Sequence, residues 1–200
     1  YSGKIDRSDA LERLNLAQQK YFLISAHREE NVDVAKRLMC LIAALEKLAK
    51  KYKFPVLFST HPRTKKRFEE INTDVHSSHI RFMKAFGFFD YVKLQKNAFC
   101  IISDSGTITE EASILNLPAI TIRQAHERPE GMDQGVLVMS DIDSERLIKA
   151  VDMVTSQYRI GIRSNKVVPD YDEDKVSEKV ARTILSYTDY VNRTVWRQQV

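Results

Sequence analysis

The sequence predicts an α/β fold, a doubly wound parallel sheet with helices on both faces. Apolar runs of strand length alternate with segments of helical periodicity from Lys20 to Tyr158. Those runs are nearly continuous in apolar residues, as befits strands covered on both faces. Several of them end in histidine, arginine or small polar residues, at the carboxyl edge where such sheets bind ligands.

The elements follow in order. A polar helix is expected around Ala10 to Gln19, and "KYFLIS" is the first strand. From Val32 to Lys51 the residues Val34, Leu38, Leu41, Ile42, Leu45 and Leu48 recur at three and four, with lysines gathered at the end where the helix dipole favours cations. "FPVLFST" is the second strand, closed by "HPR", and the stretch to Ile71 suits a helix. "HIRFMKAF" is the third strand, and "FFDYVKLQKNAF" is a short helix leading into the fourth, "CIISD". A further helix opens at "SGTITEEA" and gives way through Asn116 and Pro118 to the fifth strand, "AITIR". "GVLVMS" is the sixth. "DSERLIKAVDMVTSQY" is a helix with Asp143 and Ser144 as candidate caps. The last stretch sets Val176, Val180, Ile184, Tyr187, Tyr190 and Val191 on one stripe of a long helix. The expected organisation is one α/β domain, residues 1–170, and a C-terminal helical segment, residues 171–200.

Two hundred residues, 43% of them hydrophobic, can bury a core without disulfide staples. Cys40 falls in a helical pattern and Cys100 in a strand, so two buried thiols in a reducing compartment are expected. No run approaches the eighteen apolar residues of a membrane span, and "YSGKIDRSDA" lacks the layout of a secretory signal. The expectation is a cytoplasmic protein with no membrane partner. The formal charge of +4 is spread among almost as many acidic residues, which argues against a nucleic-acid partner and leaves a mildly positive surface suited to a small anion. The densest basic run, with Lys65, Lys66 and Arg67, ends in its own glutamates and reads as a solvated helix face.

In "ISDSGTITEEA" a turn follows a buried strand and opens a helix. The N–H groups of Ser105, Gly106 and Thr107 would then point outward to meet a phosphate or diphosphate, helped by two hydroxyls and the helix dipole. Asp104 and Ser105 would look the same as ordinary turn and cap residues. Glu110 and Glu111 lie one turn further in, where a carboxylate, which only accepts hydrogen bonds, suits a pair of ribose hydroxyls. At least one of the two simply complements the dipole. His27 and Arg28 stand at the end of the first strand, His61 and Arg63 at the second, and Arg123, His126 and Arg128 at the fifth. Three cationic strand ends on one rim would enclose the anion. His76 and His79 in "HSSH" have helical spacing for a metal but no evident third ligand, so no metal is expected. Ser105 lacks the second glycine of a nucleophile elbow.

Taken together, "SAHREEN", "STHPR", "ISDSGTITEEA" and "IRQAHERPEGMDQG" resemble the motif series of the non-hydrolysing UDP-N-acetylglucosamine 2-epimerases. The resemblance runs from about Lys20 to Ser140 and matches the second of two Rossmann-like halves in that family's GT-B architecture. "AHREEN" and "FGFFDYVKLQ" are similar to the branch that inverts C2 of UDP-2-acetamido-2,6-dideoxy-L-talose, giving UDP-N-acetyl-L-fucosamine for capsule or O-antigen. The resemblance implies that Ser105, Gly106 and Thr107 hold the diphosphate, Glu111 the ribose and Arg123 a phosphate, with Tyr91 stacked on uracil. It puts His27, as a catalytic residue, near the C1–O bond, and aligns Arg28 and His61 with contacts to a second, regulatory nucleotide-sugar. Thr107 stands where the family has the second glycine of "DSGG", and Glu29 replaces an arginine of "HRREN".

The implied reaction eliminates UDP across C1–C2 to a glycal and adds it back with opposite configuration at C2, without nicotinamide, metal or other cofactor. The carboxylates that exchange the C2 proton belong to the family's first half. The implied partners are a UDP-sugar, that N-terminal domain, on which residues 171–200 would pack, and a second copy in a full-length homodimer. The nucleotide-binding domain of a GT-B glycosyltransferase is the alternative reading.

Overall fold

The computed structural model describes residues 1–70, 78–125, 127–158, 160–163 and 165–198. His76, His126 and the side chain of Arg63 lie outside the described residues. Two compact units are present, Tyr1–Val168 and Pro169–Val200.

The first unit is built on six parallel strands, β1 (Phe22–Ser25), β2 (Val56–Thr60), β3 (Ile80–Lys84), β4 (Cys100–Ser103), β5 (Ala119–Thr121) and β6 (Val138–Met139). Their order across the sheet is β3-β2-β1-β4-β5-β6, so the chain winds outward on one side and then on the other. The reversal falls between β1 and β4, which pair in register from Phe22 with Cys100 to Ser25 with Ser103. At that point the two connections leave in opposite directions, opening a crevice at the strands' carboxyl ends.

A short helix not anticipated from the sequence, α1 (Ser2–Asp6), opens the chain, and α2 (Ala10–Arg13) takes the place of the longer helix expected around Ala10 to Gln19. Asn15 and Gln19 adopt left-handed backbone with φ of 49° and 58°, and Gln19 N–H donates to the Asn97 carbonyl instead of a helical turn. The helix expected from Val32 is likewise divided, into α3 (Glu29–Val32) and α4 (Ala35–Tyr52). Val34 is extended and 51% exposed, so it leaves the apolar stripe that its spacing suggested. Asp33, at the break, accepts from Arg67 Nε at 3.1 Å on α5 (Pro62–Glu70). The rest of the stripe holds: Leu38, Leu41, Ile42, Leu45 and Leu48 pack against Phe22, Ile24, Phe58 and Ile102 on one face of the sheet. Cys40 points away from that face and is exposed, which corrects the expectation of two buried thiols; Cys100 is buried, and burial pushes its thiol pKa up.

On the opposite face lies α6 (Phe88–Asn97), where Tyr21 from the start of β1 donates its hydroxyl to the Leu94 carbonyl at 2.6 Å. The remaining helices of the first unit are α7 (Ile108–Leu115), α8 (Pro129–Asp133) and α9 (Ser144–Gln157). Asp143 caps α9 by accepting from the N–H groups of Glu145 and Arg146; Ser144 is its first helical residue rather than a cap. The second unit holds a 3-10 turn at Pro169–Tyr171 and α10 (Val176–Thr194), an amphipathic helix none of whose residues is buried.

Candidate functional site

The crevice is organised by one carboxylate. Asp104 follows β4, is fully buried, and accepts from the backbone N–H of His27 at 3.0 Å, from that of Arg28 at 2.9 Å and from Asn31 Nδ2 at 3.1 Å. Its own N–H donates to the Ser25 carbonyl at 3.1 Å. Thr64 of α5 fastens the same turn by donating to the Ala26 carbonyl at 2.8 Å. The end of β1 is thereby fixed beside the start of α7, with His27 Nδ1 3.3 Å from Asp104 Oδ1. His61, at the end of β2, brings its ring to 5.8 Å from that of His27. His79 lies at the start of β3, on the opposite edge of the sheet.

Of the three amide donors expected at the mouth of α7, Ser105 N–H is already taken by the Ser103 hydroxyl at 3.1 Å. That corrects the expected set: the small turn after β4 closes on itself before the helix begins. Gly106 and Thr107 remain, and neither amide N–H finds a partner among the described residues. A Cβ on Gly106 would meet Arg128 Nη2 and Glu127 Oε2 at 3.6 Å and Arg28 Nη2 at 3.7 Å. Guanidinium groups from two strand ends therefore converge on this glycine.

A single carboxylate sits among them. Glu127 accepts from Arg123 Nη2 at 2.7 Å and lies 3.5 Å from Arg28 and 3.9 Å from Arg128. Bonded to Arg123 and near the other two, it is held at a pKa of about 2, far below the usual carboxylate range. Arg123 is 8% exposed, its pKa raised by Glu127, and its Nε has no hydrogen-bond partner among the described residues. Three cations held over an amide-lined helix mouth are the environment of a multivalent anion.

The two adjacent glutamates part company. Glu110 accepts from Arg128 Nε at 2.7 Å and joins the cationic rim. Glu111 turns the other way, into a cavity of about 180 Å³ lined by Ser25, Ser59, Phe86, Tyr91, Ser105, Thr107 and Glu111 itself. There Glu111 Oε1 accepts from Thr107 Oγ1 at 3.1 Å and Oε2 from Gln95 Nε2. Burial pushes its pKa up against those two donors. Tyr91 closes the cavity from α6; burial and the neighbouring Glu111 carboxylate push its phenol up to about 12.

Of the sequence-predicted residues, Tyr91, Ser105, Thr107 and Glu111 share this cavity, and Gly106, Arg28 and Arg123 share the adjoining anion hollow. His27 and His61 stand together on the same edge. Sequence reasoning missed Glu127, Gln95 and Asn31. Glu127 was visible only as one acid among cations. Asn31 ends the strand-end run "AHREEN" and Gln95 lies within a helical stretch, and nothing in either shows that both are fully buried.

A Rossmann-like domain with an anion hollow and an inward carboxylate at its switch point defines the class of nucleotide-type α/β domains. The profile of the UDP-N-acetylglucosamine 2-epimerases matches residues 2–185, and this chain belongs to that family. Among curated relatives it is 38% identical over 173 residues to a UDP-N-acetylglucosamine 2-epimerase of Methanocaldococcus jannaschii, covering 85% of this chain and 45% of that one. Among solved structures it resembles the UDP-N-acetylglucosamine 2-epimerase of Rickettsia bellii, with 51% identity, a TM-score of 0.81, and coverage of 98% of this chain and 52% of that one. It also resembles the Methanocaldococcus jannaschii enzyme in complex with UDP-GlcNAc and UDP, at 33% identity and a TM-score of 0.78, covering 92% of this chain and 50% of the other. The chain thus spans about half the length of the relatives it matches.

Proposed function

We propose that this chain is the nucleotide-sugar-binding half of a UDP-N-acetylhexosamine 2-epimerase. The observation that carries the reading is Glu127, one carboxylate ion-paired with Arg28, Arg123 and Arg128 over Gly106, with the inward Glu111 beyond it. A diphosphate would exchange for that carboxylate, bringing more negative charge to the same guanidiniums and to the amides of Gly106 and Thr107. The attached ribose would offer its two hydroxyls to Glu111, and Tyr91 would face uracil.

The chemistry this half serves is departure and return of UDP. The C1–O bond breaks as the C2 proton is removed, leaving a glycal and UDP; re-addition places the proton on the opposite face. Charge develops on the departing phosphate oxygens, and preorganised cations lower that barrier without reorganising. His27, with Nδ1 set against Asp104, would present Nε2 towards the C1–O bond. The base that takes the C2 proton would come from an N-terminal domain of the same enzyme, against which residues 171–200 would pack, and the full-length form would be a homodimer. Arg28 and His61 would also be placed to touch a second, regulatory nucleotide-sugar.

The finer reading is the branch forming UDP-N-acetyl-L-fucosamine for capsule or O-antigen in the cytoplasm. It is supported by the wording of "AHREEN" and "FGFFDYVKLQ". Among the described residues no helix is long and apolar enough to cross a membrane.

Calorimetric titration of this chain with UDP tests the reading. Arg123→Ala and Glu111→Ala should each weaken binding roughly tenfold or more, since a hydrogen bond to a charged group is worth about 1.5–3 kcal/mol. Unchanged affinity in both variants would overturn it.

A further inference from the structure

Gln95 is fully buried on α6 and lines neither the cavity nor the anion hollow, yet its Nε2 donates to Glu111 Oε2. Thr107 Oγ1 holds the other oxygen at 3.1 Å and itself lies 3.0 Å from Ser105 Oγ. Glu111 is therefore tied at both oxygens before any ligand arrives. Each oxygen keeps a lone pair free, and the two free acceptors sit side by side in one fixed plane. Two adjacent acceptors match a vicinal diol, whose neighbouring hydroxyls each donate once.

The other end of the same amide is unsatisfied. Gln95 Oε1 is buried without a hydrogen-bond partner among the described residues, and a buried orphan acceptor costs stability. An apolar side chain of the same length would remove that cost. The glutamine is thus a poor choice for the fold and a useful one for Glu111.

We propose that Gln95 is a positioning residue that aligns Glu111 for recognition of a ribose cis-diol, and that it acts without touching the ligand. The inference rests on the proposed role of Glu111. Burial drives Glu111 towards its protonated form, which would turn one acceptor into a donor; the Gln95 amide opposes this.

The test compares UDP with 2′-deoxy-UDP by titration on wild type, Gln95→Met and Glu111→Ala, with thermal unfolding of each. Wild type should prefer UDP. Gln95→Met should lower UDP affinity roughly tenfold, bring the two nucleotides to near-equal affinity, and leave inorganic pyrophosphate binding unchanged. Its melting temperature should equal or exceed that of wild type, which a merely structural glutamine would not allow. Gln95→Leu serves the same purpose should the methionine variant fail to fold. If Glu111→Ala abolishes the preference while Gln95→Met retains it, the positioning role is wrong and the site stands. If Glu111→Ala also retains it, the ribose role of Glu111 falls, and this inference with it.

Discussion

Asp104 shows how one side chain turns a strand end into a site. Its buried carboxylate gathers donors from His27, Arg28 and Asn31, so a single residue after β4 sets the backbone after β1. Removing it strands those donors in the interior. Asp104→Ala should cost about 2–5 kcal/mol in urea unfolding; a loss below about 1 kcal/mol would show that the turn holds itself. In the sequence this aspartate could be weighed only as a turn or cap residue, because the partners that give it meaning are more than seventy positions away. The adjacent pair Glu110 and Glu111 was legible as a place for one ligand-reading carboxylate, and the family resemblance pointed to Glu111, but its tie to Gln95 was not legible. A period-3.6 pattern says which face a residue is on and is silent about what lies across from it.

At the scale of elements, the mouth of α7 combines a glycine with two unpaired amides, and the glycine is there for approach rather than for backbone freedom. Its hypothetical Cβ makes only ordinary contacts, the nearest at 3.6 Å, so Gly106→Ala should fold with little change in melting temperature. The added methyl would occupy space that a phosphate oxygen needs. UDP binding should therefore fall about tenfold or more while stability holds, a separation that titration and thermal unfolding measure side by side. Strand positions were legible because β1, β2 and β4 are buried on both faces and write continuous apolar runs. Helix limits were less so. The left-handed backbone at Asn15 and the extended Val34 break helices within patterns that local spacing alone would continue.

For the whole molecule, the order β3-β2-β1-β4-β5-β6 places the β1 and β4 ends on either side of the crevice, flanked by the β2 end with His61 and the β5 end that leads into Arg123, Glu127 and Arg128. None of those groups is a base placed to take a C2 proton in our reading. This chain by itself should bind UDP yet show little or no epimerisation of UDP-N-acetylglucosamine, followed as deuterium uptake at C2 in heavy water. Turnover like that of a complete enzyme would sink the division of labour. In its own unit, α10 carries an apolar stripe that includes Val180, Ile184 and Tyr187, all three of them exposed. The sequence by itself determined the alternation of strands and helices, the helix mouth after β4 and the cationic strand ends, since hydrophobic period and turn chemistry are local properties. Only the tertiary structure decided that Glu127 sits among Arg28, Arg123 and Arg128, that Glu110 and Glu111 face apart, and that Gln95 stands behind Glu111. Arg28 with Glu127, Glu110 with Arg128 and Gln95 with Glu111 are meetings of side chains from different elements, which the sheet's winding brings within reach.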